Sequence, residues 1–257
     1  MHALVEANPA SLRPRLGAAM RAEIRTEFLK LARQPAYVLP ALGFPLAFYV
    51  LFGVFLNRSG GGAAQYLLAT YGAFGVIGAA LFALGVTVSL EREQGLLKLR
   101  RLTPAPALSY LAGKVAAALA FALAIVLLLM AAAALAGGVR MPVGDWILLG
   151  FTLVLGALPF AAIGCCFGLA LGAQTAPNVI NLVYLPAAAL GGLWFPIALM
   201  PKFIQTLAPL LPTYHLGQLG LLAIGRVEGS PWFSLAVLAA YTLAGVLLAR
   251  KLWQRAV

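Results

Sequence analysis

Residues 146–201 read WILLGFTLVLGALPFAAIGCCFGLALGAQTAPNVINLVYLPAAALGGLWFPIALMP, 56 residues without a single Asp, Glu, Lys or Arg. A helix crosses a bilayer with about 20 apolar residues. The stretch is too long for one crossing and long enough for two. Its polar break is Gln174-Thr175-Ala176-Pro177-Asn178, where amide side chains and a proline interrupt the apolar run. The stretch therefore reads as two membrane helices, about 146–171 and 179–197. Five more charge-free windows lie around it: 34–57, 59–90, 115–139, 203–225 and 229–249. Together the six windows hold 181 of the 257 residues. Hydrophobic residues make up 63% of the chain and charged ones 10%. A soluble domain is about half apolar and a quarter charged. An all-α integral membrane protein with almost no soluble part is expected.

The other windows place spans at about 37–56, 66–90, 111–136 and 233–249. Segment 203–225 has spanning length, but Pro209 and Pro212 interrupt it, and Gln205, Thr206, Thr213, His215 and Gln218 make it wetter. Charge sidedness decides its place. With six transmembrane helices and the N-terminus inside, fourteen of the eighteen basic residues are cytoplasmic, leaving Arg58, Arg140, Lys202 and Arg226 outside. This satisfies the positive-inside rule. A seventh span would carry Arg250, Lys251 and Arg255 outward against it. Residues 198–226 are therefore expected to form outer re-entrant helices between spans 5 and 6. Non-helical backbone at membrane depth needs protein or water around it, so the segment should face a dimer interface or a pathway. Ahead of span 1, Met20, Ile24, Phe28 and Leu31 recur on one helical face of residues 18–32, with Arg21, Arg25 and Lys30 on others. That pattern predicts an N-terminal amphipathic interfacial helix against anionic membrane lipid.

Several function classes are disfavoured. The net charge of +11 is spread along the edges of apolar windows rather than gathered on a nucleic-acid surface. Cys165 and Cys166 are adjacent within an apolar window, which fits packing and not a disulfide framework or a metal site. The seven acids, Glu6, Glu23, Glu27, Glu91, Glu93, Asp145 and Glu228, all fall in termini or loops. Ion-coupled transporters usually keep ionisable groups within the membrane, so secondary transport is disfavoured. Two histidines cannot build a metal cluster, and there is no Gly-x-Ser-x-Gly elbow to support a hydrolase using His215. Gly113-Lys114 is followed by Val115 and lacks the upstream glycine of a phosphate-binding loop. Energy for uphill movement has to come from a partner.

The most informative charged block is Glu91-Arg92-Glu93-Gln94-Gly95-Leu96-Leu97-Lys98-Leu99-Arg100-Arg101-Leu102-Thr103-Pro104. It follows span 2 on the side read as cytoplasmic. Its acids at the start and bases at the end complement a helix dipole. Thr103 precedes a proline, which disfavours further helix. The block resembles the loop after the second span of type-2 ATP-binding-cassette (ABC) exporter permeases, through Glu91, Arg92, Glu93, Gly95, Leu96, Leu99, Arg100, Thr103 and Pro104. The segment Leu211-Pro212-Thr213-Tyr214-His215-Leu216-Gly217-Gln218 is similar to that family's stretch before the last span. The resemblance implies that residues 1–257 form one transmembrane permease domain with residues 91–104 as a cytoplasmic coupling helix. It implies two copies of an ABC ATPase subunit carrying ATP and Mg, and a second permease subunit, either a second copy in a homodimer or a homologue. No metal and no cofactor on this chain are expected.

Softer candidates complete the site. Tyr71, Phe74 and Tyr184 are read as lining the substrate pathway, with packing or a lipid-facing place equally open. Trp194 and Phe195, between Gly191-Gly192 and Pro196, read either as an outer gate or as an interfacial aromatic belt. His215 reads as a structural or gating residue at an outer helix end. Gly164, Gly168 and Gly172 repeat at a spacing that lets helices approach closely, more readily inside one chain than across a dimer. The expected function is ATP-driven export of an amphipathic or hydrophobic, drug-like or lipid-like substrate across a bacterial inner membrane, with both termini cytoplasmic. A polysaccharide or lipid-linked glycan is the second substrate class. A secondary transporter or channel, or a membrane enzyme using His215, are the alternatives.

Overall fold

The computed structural model describes residues 16–56, 61–100 and 107–256. All regular elements among them are helical. The chain runs α1 (Leu16–Ala32), α2 (Pro35–Phe48), a π-helical continuation (Tyr49–Phe55), α3 (Gly61–Glu93), α4 (Leu96–Arg100) and α5 (Ala107–Leu135). It continues with α6 (Val143–Leu155), α7 (Leu158–Ala170), α8 (Ala176–Leu190), α9 (Lys202–Leu207), α10 (Pro212–Ala223) and α11 (Pro231–Ala256).

Helix α3 is the axis of the bundle. It packs most extensively on α7 and α5, and also on α2, α8 and α10. At 1.5 Å per residue its 33 residues extend about 50 Å, longer than the hydrocarbon core of a bilayer. Its apolar window is 72% buried, whereas that of α11 is only 22% buried. The difference separates a core helix from one that presents Leu243, Val246 and Leu247 outward. Glycine makes the central contact possible. A Cβ on Gly164 would lie 2.7 Å from the Leu81 carbonyl oxygen, and one on Gly168 would lie 2.9 Å from that of Gly85. The repeated small residues of α7 thus serve packing within the chain, backbone against backbone.

Among the described residues, four helices are long and apolar enough to cross a membrane: 62–93, 110–135, 143–170 and 231–255. The third is broken at Gly156–Ala157, just before Pro159, into α6 and α7. The stretches expected as spans 1 and 5 appear as shorter apolar helices, 41–55 and 176–190. In the first, the backbone widens into the π-helix, with the Leu56 N–H bonded to the Leu51 carbonyl. In the second, Gly192 at φ +75° turns the chain at a conformation that only glycine adopts freely, so α8 stops at Leu190 rather than near Ile197. Residues 197–223 form short helices, as their prolines and polar residues predict. α10 is buried against α3, α6 and α11, while α9 ahead of it is mostly exposed.

Helix α1 packs along α5. Glu27 and Leu31 turn inward, while Met20 and Phe28 of the apolar stripe stay partly exposed. Glu23 packs over Gly113, where a Cβ would meet its Cγ at 2.6 Å. Phe28 reaches Phe121 of α5 beside this row, with ring centroids 5.2 Å apart.

Candidate functional site

The α3–α4 corner is built by divergence of three consecutive side chains. Glu91 turns toward α1 and α5. Its Oε1 accepts from Lys30 Nζ at 3.1 Å and from Lys114 Nζ at 3.2 Å, and its Oε2 accepts from the Tyr110 hydroxyl at 2.6 Å. Arg92 turns toward α7. Its Nη1 and Nη2 donate to the carbonyls of Leu169 and Leu171 at 2.6 and 2.9 Å, closing the C-terminus of that helix with positive charge. Glu93 accepts the Ala173 N–H at 2.9 Å in the α7–α8 turn. Gly95, at φ +74°, then reverses the chain into α4. Leu97 is buried, and Leu96, Lys98 and Leu99 face outward. The side chain of Arg100, and all of Thr103 and Pro104, lie outside the described residues.

The acids were expected in termini or loops, but Glu23, Glu27, Glu91, Glu93 and Asp145 stand in helices, and Glu27 and Glu91 are buried. Glu27 is 1% exposed and Lys114 2%. Lys114 Nζ donates to Glu27 Oε2 at 2.7 Å and to Thr87 Oγ1 at 3.0 Å, besides Glu91. Lys30 Nζ donates to Glu27 Oε1 at 2.7 Å. Partial burial lowers the Lys30 pKa, but the Glu27 hydrogen bond and the Glu91 charge outweigh it and raise it above the ordinary lysine value. Tyr110 also stacks near Trp253 of α11, with ring centroids 5.8 Å apart. Two carboxylates and two ammoniums thus join α1, α3 and α5 in one neutral cluster. The signal in the sequence was Lys114 itself, a lone charge at the start of an apolar span, which needs a partner when helices close around it.

The aromatic candidates divide. A groove of about 890 Å³ runs between α2, α3 and α8, within the range of small-molecule sites. Phe74, Tyr184 and Trp194 line it together. The rings of Phe74 and Tyr184 stack at 5.0 Å, and Phe74 meets Trp194 edge-on at 5.8 Å. The Tyr184 hydroxyl donates to the Phe74 carbonyl and anchors α8 on α3. Gln34, Thr87 and Asn181 are polar members of an otherwise mostly apolar lining. Tyr71 is buried behind this wall against Phe48 and Phe52. Phe195 is exposed outside the groove.

His215 is separate from the groove. It is buried between α10 and α11, with Nε2 2.8 Å from the Pro209 carbonyl and Nδ1 3.0 Å from Ser234 Oγ. A carbonyl only accepts, so Nε2 carries the proton and Nδ1 accepts from the serine hydroxyl. Phe233 packs edge-on against the ring. This arrangement uses both ring nitrogens as structural ties. Cys166 Sγ likewise donates to the Gly245 carbonyl of α11. Among the described residues no three His, Cys, Asp or Glu side chains gather to hold a metal ion.

The family described as ABC-2 type transporter matches residues 19–222, well over half of the chain. A Bacillus subtilis (strain 168) protein named "Putative transport permease YvfS" is 29% identical over 228 residues, covering 87% of this chain and 92% of its own length.

Proposed function

Because the chain belongs to the ABC-2 type transporter family, as a multi-pass transmembrane permease subunit, we propose that it is the membrane half of an ATP-driven exporter. In this reading α2 with its π-helix, α3, α5, α6–α7, α8 and α11 are the six crossings. The α4 end faces the cytoplasm of a bacterium with both termini, and α9–α10 lie at the outer side. Two copies of the chain pair, and two separate ATPase subunits bind below and hydrolyse ATP with Mg. The cargo is an amphipathic or hydrophobic molecule taken from the inner leaflet or cytoplasm.

The observation that carries the coupling part is the form of the α3–α4 corner. Glu91, Arg92 and Glu93 are engaged inward with α1, α5 and the α7–α8 turn, so a push on this corner is delivered to the bundle. Leu96, Lys98 and Leu99 point away and offer apolar and charged contacts to a partner. Glu91, Arg92 and Glu93 therefore transmit, and Leu96 and Leu99 dock. The cargo class is supported by the groove, whose aromatic rings and few polar groups suit an amphipathic guest.

Inside-out vesicles test the reading with the dye Nile red. ATP-dependent dye accumulation that requires the chain is the expected result. Dye movement driven by an ion gradient without ATP would overturn it in favour of a secondary transporter. Trp194→Ala should weaken dye binding, since the indole forms one wall of the groove.

A further inference from the structure

Lys114 is the only lysine or arginine buried among the described residues. Its ammonium has three protons and three oxygen partners: Glu27 of α1, and Glu91 and Thr87 of α3. Glu27 and Glu91 share the second cation, Lys30. The cluster is neutral and its central cation is saturated. Moving one helix away from it would leave a buried charge without its counter-charge, which is strongly disfavoured. These three elements are thereby bound to move together.

Thr87 extends this unit to the groove. Its side chain belongs to the groove lining, and its hydroxyl donates to the Ala83 carbonyl while accepting from Lys114. Glu91, four residues on, stands where α3 leads through Gly95 into α4. One ammonium thus contacts the groove wall, the N-terminal helix and the residue that begins the corner. A saturated ammonium cannot follow one partner without leaving another. A guest that shifts the groove wall at Thr87 therefore shifts Glu91, and the corner with it.

We propose that Lys114 is a positioning residue for energy coupling, which joins Thr87, Glu27 and Glu91 into one unit so that occupancy of the groove changes the turnover of the docked ATPase. The proposal rests on the groove as pathway and the corner as ATPase dock, and it adds how the two communicate. It assigns to α1 the same task, since Glu27 supplies half of the cluster's negative charge.

The test uses the complex of the chain with its co-purifying ATPase in phospholipid vesicles, with Nile red as probe. Dye binding is read from its fluorescence, and ATP hydrolysis is measured with and without dye. The double variant Glu27→Gln with Lys114→Met removes one charge of each sign and leaves the Lys30–Glu91 pair. It should bind dye within about twofold of wild type, while the dye-induced change in hydrolysis falls by about threefold or more. Thr87→Val removes the hydroxyl with its bonds to Lys114 and Ala83, and, compared with wild type at equal dye occupancy read from fluorescence, should lose the response equally, whether or not the double variant folds. Thr87→Ser should restore it. A wild-type response in Thr87→Val, or dye that binds the wild type without altering hydrolysis, overturns the proposal. Absence of dye binding or of a co-purifying ATPase overturns the groove or the dock instead, and the proposal with it. The binding and purification arms show which has failed.

Discussion

Lys114 shows how one side chain organises an end of the bundle. It takes its charge into a site where Glu27, Glu91 and Thr87 answer each of its protons. Lys114→Met leaves Glu27 and Glu91 with Lys30 alone, and should cost about 3–5 kcal/mol, the usual result of breaking a buried pair. The double variant Glu27→Gln with Lys114→Met is balanced in charge and should melt above the single variant. Thermal unfolding of the detergent-solubilised protein checks that order, which a simple loss of packing would reverse. At the other end, His215 ties the Pro209 carbonyl to Ser234. His215→Ala should lower the thermal midpoint and leave dye transport per folded molecule unchanged; a selective loss of transport would restore the gate or catalytic reading. Single residues were the least legible part of the sequence. Glu91 stood out in the charged block, but its inward direction depends on Lys30, Tyr110 and Lys114, which come from other helices. Glu27 reads only as one of the acids in termini or loops, because no local pattern announces a partner 87 residues away.

At the scale of elements, the α3–α7 contact is the most exacting. Gly168→Val would drive a branched side chain into the Leu84 and Gly85 carbonyls, each 2.9 Å from the added Cβ. Overpacking of this kind typically costs about 1–3 kcal/mol. The expected outcome is a lower thermal midpoint and a smaller folded fraction on size-exclusion chromatography. The corner makes a different prediction. Leu96 and Leu99 are exposed, so Leu96→Ser with Leu99→Ser should leave the fold intact. It should reduce recovery of the ATPase in affinity purification, and unchanged recovery would show that α4 is not the dock. Hydropathy and glycine or proline breaks act locally, yet the break of α6 from α7 at Gly156–Ala157 and the end of α8 at Leu190 were not read from them. The face that α1 turns to α5 was not legible in its stripe: the Glu27–Lys114 pair and the close approach at Gly113 set it.

On the scale of the whole molecule, the proposed six-crossing arrangement predicts sidedness. Cysteines introduced in a cysteine-free background at exposed positions Leu99 and Arg140 should react differently with a membrane-impermeant maleimide. Arg140→Cys should label in intact cells, and Leu99→Cys only after permeabilisation. Labelling of both from one side would overturn the topology. Membrane residence and helical class needed no tertiary information, since 181 charge-free residues have no soluble solution and lipid admits few backbone arrangements. Sequence alone likewise marked the corner and the polar breaks, which are local features of charge, glycine and proline. Two things only the assembled bundle decided. One is which aromatic residues share a groove: Phe74, Tyr184 and Trp194 meet across three segments, while Phe195 and His215 do not join them. The other is that charges from α1, α3 and α5 meet in one neutral cluster. Both depend on the rotation of each helix about its own axis. Hydropathy leaves that rotation nearly free in a chain apolar on most faces, and close packing at glycine and pairing of buried charge fix it.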